Sequence, residues 1–383
     1  MISADQALVK KMNKKLVLRE IIHTSPVSRA KLSEITGLNK TTVSSQVADL
    51  LDDNLIFEIG QGLSSGGRRP VMLVFNKNAG FTIGIDLGVD YLTIVLTDLE
   101  GTIVSESHQK IELILPEDLQ KLMIELLEKQ VSVIPDSRYG LIGICLGVPG
   151  LVNNDQELTF TPNSSWSEIP FKQILEQTFK VPVFVENEAN AGAYGEKEYG
   201  AAKQFKNIVY VSINAGIGTG VIQNNELLKG KNGLFGEMGH AVIDFNGPRC
   251  TCGNRGCWEL YASEKALHRS LMSNNQTLMW QDILHRAKQN DPQVLQALDN
   301  FGFYLGIGLK NIINTFDPEV IILRNRIIEV FPQVLNSIRH TLVPNHTHAP
   351  DINILLVSAL KHNATALGAA AIMIKHFIDG VTA

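Results

Sequence analysis

Cysteine is scarce in this chain: 383 residues carry only four. So few thiols exclude a disulfide-stapled scaffold. Aromatic residues make up only 7%. No long apolar run is present. The longest, LIGICLGVPGLV at 141–152, is too short and too rich in Gly and Pro to span a bilayer. The opening stretch MISADQALVKKMNKK is polar and charged before any apolar run, so no secretory leader is expected and the cytoplasm is the default location. Strong charge of one sign is also missing, since the net is −5. What remains is ordinary globular composition, 44% apolar and 19% charged, on a chain long enough for two or three domains.

The small net charge hides an asymmetry. Residues 1–76 hold ten Lys/Arg against seven Asp/Glu, a net of +3, whereas the rest holds 24 against 32, a net of −8. A basic head on an acidic body suggests a nucleic-acid partner for the head. Its patterning agrees. Leu8, Met12, Leu16, Val17 and Ile21 recur at helical spacing over 6–23. Ser28 reads as an N-cap for SRAKLSEIT, and Gly37 as its stop. Asn39 caps a third helix with Val43, Val47 and Leu50 on one face. Its other face holds Thr41, Thr42, Ser44 and Ser45, with Lys40 and Gln46 at the edges. Two short helices around a tight turn form a helix-turn-helix, and small hydroxyl side chains suit a helix seated in the major groove. LIFEIG (55–60) and PVMLVFN (70–76) read as strands around QGLSSGGRRP. That hairpin is a wing, with Arg68 and Arg69 placed to enter a minor groove. One winged head buries too little surface for tight, specific binding, so a homodimer on palindromic double-stranded DNA is expected.

The body, from residue 77 on, runs strand-strand-strand-helix-strand-helix and then begins again. That order predicts a two-lobed α/β protein with a ligand cleft between the lobes. The expected divisions are 1–76 for the head, 77–186 for the first lobe (joined by the C-terminal helix 365–383) and 187–364 for the second. His240, Cys250, Cys252 and Cys257 have the spacing H-x9-C-x-C-x4-C. Three thiolates and one imidazole are a closed tetrahedral set for structural Zn2+. The fourth cysteine, Cys145, sits in an apolar strand and reads as core.

IGIDLG, GVPG, ENEANAGAYGE, NAGIGTG, GEMGH and CTCGNRGCWELY, from 81 to about 262, together with LGAAA near 367, resemble the ROK family of sugar kinases and sugar-responsive repressors. The resemblance implies an actin-like, RNase H-like sugar-kinase fold behind the winged head. It also implies sugar-binding roles for Asn163, Asn187, Glu188, Glu237, His240 and Glu259, with His240 shared between metal and sugar. The head-plus-body arrangement resembles the members that repress xylose utilisation genes, which implies D-xylose as the inducer. Kinases of the family carry Gly-Gly-Thr after the first strand's Asp; here the stretch is Asp86-Leu87-Gly88-Val89-Asp90. They carry Gly-Gly after the last buried strand, where Arg324-Asn325 stands. Their catalytic Asn-Asp is here Asn187-Glu188. The phosphate-loop stretch GIGTG (216–220) survives. The expectation is a sensor with no enzymatic activity; the alternative is an active ATP-dependent sugar kinase with an added DNA-binding head.

Overall fold

The computed structural model describes residues 6–61, 70–111, 114–162, 166, 169–272, 280–342 and 352–382. The head opens with α1 (Gln6–Thr24), which buries Val17, Leu18 and Ile21. After β1 (Val27–Ser28) comes α2 (Arg29–Thr36), capped by the Ser28 side chain, which accepts from the Lys31 amide. Gly37 ends α2 at φ +70°, a left-handed conformation that glycine adopts without strain. Asn39 then caps α3 (Lys40–Asp52) by accepting from the Thr42 amide. The strands β2 (Ile56–Gln61) and β3 (Val71–Phe75) pair antiparallel, and β1 adds to the far edge of β3. This is a winged helix-turn-helix.

The body repeats one plan twice. Its first sheet comprises β4 (Phe81–Leu87), β5 (Tyr91–Asp98), β6 (Ile103–Lys110), β7 (Leu141–Val148) and β10 (Val183–Asn187), in the order β10-β7-β4-β5-β6. Between these strands lie α4 (Pro116–Ser132), the small pair β8 (Leu151–Val152) and β9 (Leu158–Phe160), and α5 (Phe171–Phe179). The helix α6 (Glu188–Glu198) follows β10. The second sheet comprises β11 (Ile208–Ile213), β12 (Ile217–Gln223), β13 (Glu226–Leu227), β14 (Val320–Arg324) and β15 (Leu355–Val357), in the order β13-β12-β11-β14-β15. Each sheet thus has its first strand central, an antiparallel meander on one side and two parallel strands on the other. The helices α7 (Glu259–Ala262), α8 (Glu264–Ser270), α9 (Trp280–Lys288), α10 (Pro292–Phe316), α11 (Arg326–Val330) and α12 (Val334–Leu342) belong to the second lobe. Many of them close a core with Trp258, Leu305 and Ile338 at its centre, all fully buried. All seven residues of β4 are buried, as expected of a strand covered on both faces.

The last helix, α13 (Ala364–Val381), returns to the first sheet and lies across β4 and β7. By length and composition alone it could cross a membrane, but 61% of the relevant window is buried inside the protein. It crosses α6 with backbone against backbone. A side chain at Gly368 would overlap the Ala191 carbonyl, and one at Gly195 would overlap the Ala364 carbonyl. Gly84 of β4 likewise faces the Ala366 carbonyl and the Ala370 amide of α13 directly.

Overpacking at such a contact costs roughly 1–3 kcal/mol or more. Gly84→Ala is therefore expected to lower the unfolding free energy by about 2 kcal/mol or more in a denaturant titration. An unchanged midpoint would show that α13 can move off the sheet at no cost.

Candidate ligand cleft and metal centre

A cleft of about 1110 Å³ opens between the two sheets. It is walled by the Gly88–Tyr91 turn and Gly150 of the first lobe, by Asn187 and Glu188 at the β10–α6 junction, and by the Asn214–Gly218 turn, Glu237, His240, Glu259 and Arg324 of the second lobe. Five of the six expected sugar contacts, Asn187, Glu188, Glu237, His240 and Glu259, share this one cavity. Asn163 lies outside the described residues.

The β10–α6 junction explains how the stretch around Asn187 is spent. Asn187 is the N-cap of α6, its oxygen accepting from the Ala189 amide at 2.8 Å and the Asn190 amide at 3.2 Å. Its side-chain nitrogen donates to the Gly150 carbonyl at 2.9 Å. Only its second N–H remains for a ligand. Glu186 is structural: it accepts from the Asn187 amide (3.0 Å) and the Asn190 side chain (3.1 Å) and ion-pairs with Lys229. Glu188, buried at the start of α6, faces the cleft. Burial pushes its carboxyl up, against the pull of Arg324 and a hydrogen bond from Ser212.

Arg324 ends β14 and reaches into the cleft. The residue is only 9% exposed. It donates to the Asn214 side chain at 2.7 Å and to the Tyr91 hydroxyl at 3.3 Å. Tyr91 in turn donates to Asp86 at 3.0 Å. Burial pushes Asp86 up to about 7, with Arg324 opposing and Glu188 adding to the rise. Asp86 and Tyr91 belong to the first lobe and Arg324 and Asn214 to the second, so this chain of polar groups bridges the cleft. Beside it, Arg326 donates to Glu264 at 3.1 Å and lies 4.9 Å over the Trp280 ring. The sequence marked Arg324 as a missing Gly-Gly pair but gave no sign of Tyr91 or of the Arg326–Glu264 pair. Such contacts join residues distant in sequence, 233 positions apart for Tyr91 and Arg324 and 62 for Arg326 and Glu264.

The second lobe's wall carries the thiol cluster. The ligating atoms of His240, Cys250, Cys252 and Cys257 lie within 4.8 Å of one another. Two of the separations, Cys250 Sγ to His240 Nδ1 and Cys252 Sγ to Cys257 Sγ, are both 3.6 Å. A tetrahedron with metal–sulfur bonds near 2.3 Å has edges of roughly 3.7 Å, so the donors fit one small ion. Glu259 touches the cluster as well as the cleft, with its Oε1 3.2 Å from Cys250 Sγ and 3.4 Å from His240 Nδ1. Gly216 makes room for that carboxylate: a Cβ there would come 2.7 Å from Glu259 Oε2. Burial raises Glu237, and His240 offsets part of the rise.

On the head, Lys40, Thr41, Ser44 and Ser45 of α3 are exposed and Thr42 is half-buried. Gln46 corrects the sequence reading. It is 3% exposed and turned into the head's core, because position 46 sits beside Val43 and Val47 on the buried arc. It is therefore not presented on the exposed face of α3 with Lys40, Thr41, Ser44 and Ser45. Arg68 and Arg69 lie outside the described residues.

A duplicated α/β body with an interlobe cleft, a Cys/His cluster on its wall and a winged head defines a regulator built on a sugar-kinase frame. The chain belongs to the ROK family, whose model matches residues 82–376. It is 58% identical over 377 residues, 98% of each chain, to the xylose repressor of Bacillus spizizenii. A crystal structure of a ROK family transcriptional regulator, a homologue of the E. coli MLC protein, matches with TM-score 0.80 and 28% identity over 98% of each chain. A ROK family glucokinase from Streptomyces griseus, in complex with glucose and AMPPNP, matches with TM-score 0.67 and 27% identity, covering 76% of this chain and 99% of that one. The kinase thus covers about the body alone, and the regulator covers body and head.

Cys250→Ser removes one of four donors and is expected to abolish metal retention. Elemental analysis should find about one zinc per wild-type chain and far less in the variant. Metal-free wild type would rule out the ion.

Proposed function

We propose that this chain is a sugar-responsive repressor. As a homodimer it binds an operator upstream of xylose utilisation genes, and D-xylose in the cleft releases it. One contrast carries the reading. The cleft keeps its hydroxyl-accepting carboxylates, while the turn that binds phosphate in the family's kinases carries Asp90 and is bridged by the Arg324–Tyr91–Asp86 chain. Backbone amides that cradle phosphate need glycine-like freedom and no competing anion. The name of the Bacillus spizizenii relative supports xylose as the sugar.

The roles follow from the donor and acceptor inventory. Glu188, Glu237 and Glu259 accept from sugar hydroxyls, and the free N–H of Asn187 donates. Buried polar groups of this kind reject a ligand lacking the matching hydroxyl. His240 presents Nδ1 to the thiols, which leaves Nε2 for the sugar. Bound zinc would supply a fixed ring direction and tautomer. Without a phosphoryl donor beside it, Glu188 holds a hydroxyl and has no reaction to serve. On the head, Lys40, Thr41, Thr42, Ser44 and Ser45 read the operator, with Arg68 and Arg69 on the wing. The cytoplasm, where operator and sugar meet, is the working compartment.

A hundredfold induction requires about 2.7 kcal/mol of coupling between sugar and operator, within reach of a few buried hydroxyl contacts. Calorimetry is expected to show D-xylose binding to the free protein and weaker binding to the operator complex. Glu237→Gln should bind operator as wild type does, yet need about tenfold more D-xylose for release. Sugar-dependent ATP consumption above background would establish the kinase alternative instead.

A further inference from the structure

The recognition helix is held at its far end by the body. Asp53, the C-cap residue of α3, is gripped from two sides. Lys14 of α1 donates to its carboxylate at 2.7 Å, and Tyr139 of the first lobe donates to its carbonyl at 3.0 Å. The same Lys14 ammonium donates to the Val381 carbonyl at 3.0 Å. Val381 is the last residue of α13, where the helix dipole and unpaired carbonyls favour a cation. Two residues earlier, Asp379 pairs with Lys15 at 2.7 Å and Arg19 at 3.4 Å. Tyr139 packs edge-on against Phe377, with ring centroids 4.9 Å apart. The apolar core is continuous here too: Met373, Ile374 and Ile378 of α13 belong to the same buried cluster as Val17, Leu32 and Leu50 of the head.

The opposite end of α13 reaches the cleft. Thr365 donates to the carbonyl of Glu188 at 3.2 Å. Just beyond, α13 crosses α6 with no side chain between their backbones. A helix of 18 residues spans about 27 Å at 1.5 Å per residue. A single rigid rod therefore joins the backbone of a cleft residue to the cap of the recognition helix. A shift of α6 when a ligand engages Glu188 has no soft side chains in which to dissipate before it reaches α13.

We propose that Lys14 is the positioning residue through which α13 sets the angle of the recognition helix, so that cleft occupancy is passed to the operator contact. The proposal rests on the repressor reading above. Lys14 ties the cap of α3 to the last carbonyl of α13, so its contribution is to orientation. Its side chain is 17% exposed, against 34% for Lys15 and 48% for Arg19, and it alone of the three touches both α3's cap and α13.

The test uses full-length dimer and measures operator affinity with and without saturating D-xylose. Lys14→Met keeps the apolar stem and removes both hydrogen bonds. It is expected to melt and to bind D-xylose as wild type does, but its induction ratio should fall at least about fivefold. Lys14→Arg, which can still reach both acceptors, should keep the ratio within about twofold. Asp379→Asn, which loosens α1 from α13 without touching α3, should lower the ratio by an intermediate amount. A wild-type ratio in Lys14→Met overturns the proposal. So does a drop in melting temperature like that of a core substitution, since Lys14 would then be structural. A wild type indifferent to D-xylose overturns the repressor reading and this inference together, whereas a responsive wild type with a responsive Lys14→Met overturns only the latter.

Discussion

The crossing of α6 and α13 is the contact on which the rest of the molecule depends. Both helices are built from small residues where they meet, ENEANAGAYGE on one side and ATALGAAA on the other, and their backbones touch. Close packing of this kind cannot be adjusted by rotamer changes; it either holds or separates. α6 also packs on β11 and β12 of the second lobe, while α13 covers β4 and β7 of the first. The pair is therefore the joint between lobes. The N-terminus of α6 is at the same time the floor of the cleft, so the joint and the ligand site share residues.

Charge shapes the cleft a second time. A nucleotide site must leave space and amide donors for phosphate. Here Arg324 brings a fixed cation into the cleft and is matched by Asp86, Tyr91 and Asn214. Buried pairs seldom add net stability, but removing one partner is expensive because the other is left charged and dry. The arrangement is therefore locked. Changing any one member of the set would leave its partners on both lobes unmatched.

Much of this was legible in the sequence, for reasons that differ by region. The head announced itself through caps: Ser28, Gly37 and Asn39 fall where the helices begin and end. The metal cluster was visible because four soft donors close in sequence have few other uses. The cleft carboxylates came from family motifs. Periodicity misplaced Gln46, because a polar residue on the edge of an apolar arc can turn either way, and here it turns inward. Short strands such as β13 and β15, of two and three residues, leave no alternation to detect. The break between α7 and α8 falls at Ser263, whose side chain caps the second helix, a short interruption that apolar spacing does not reveal. The contacts of Lys14, Tyr91 and Arg324 were invisible, because pairing across 39 to 367 positions is a property of topology.

The two sheets share one strand order, so the body has an approximate internal twofold, and the hairpins β4–β5 and β11–β12 are counterparts that meet across the cleft. Their turns have diverged. The second keeps Gly216 and Gly218 and yields space, so that Glu259 and Glu188 can stand close behind it. The first carries Asp90 and Tyr91 into the cleft, and the Tyr91 hydroxyl accepts from Arg324 of the lobe opposite. A structural duplication thus sets a spacious turn and a charged turn face to face across one cavity.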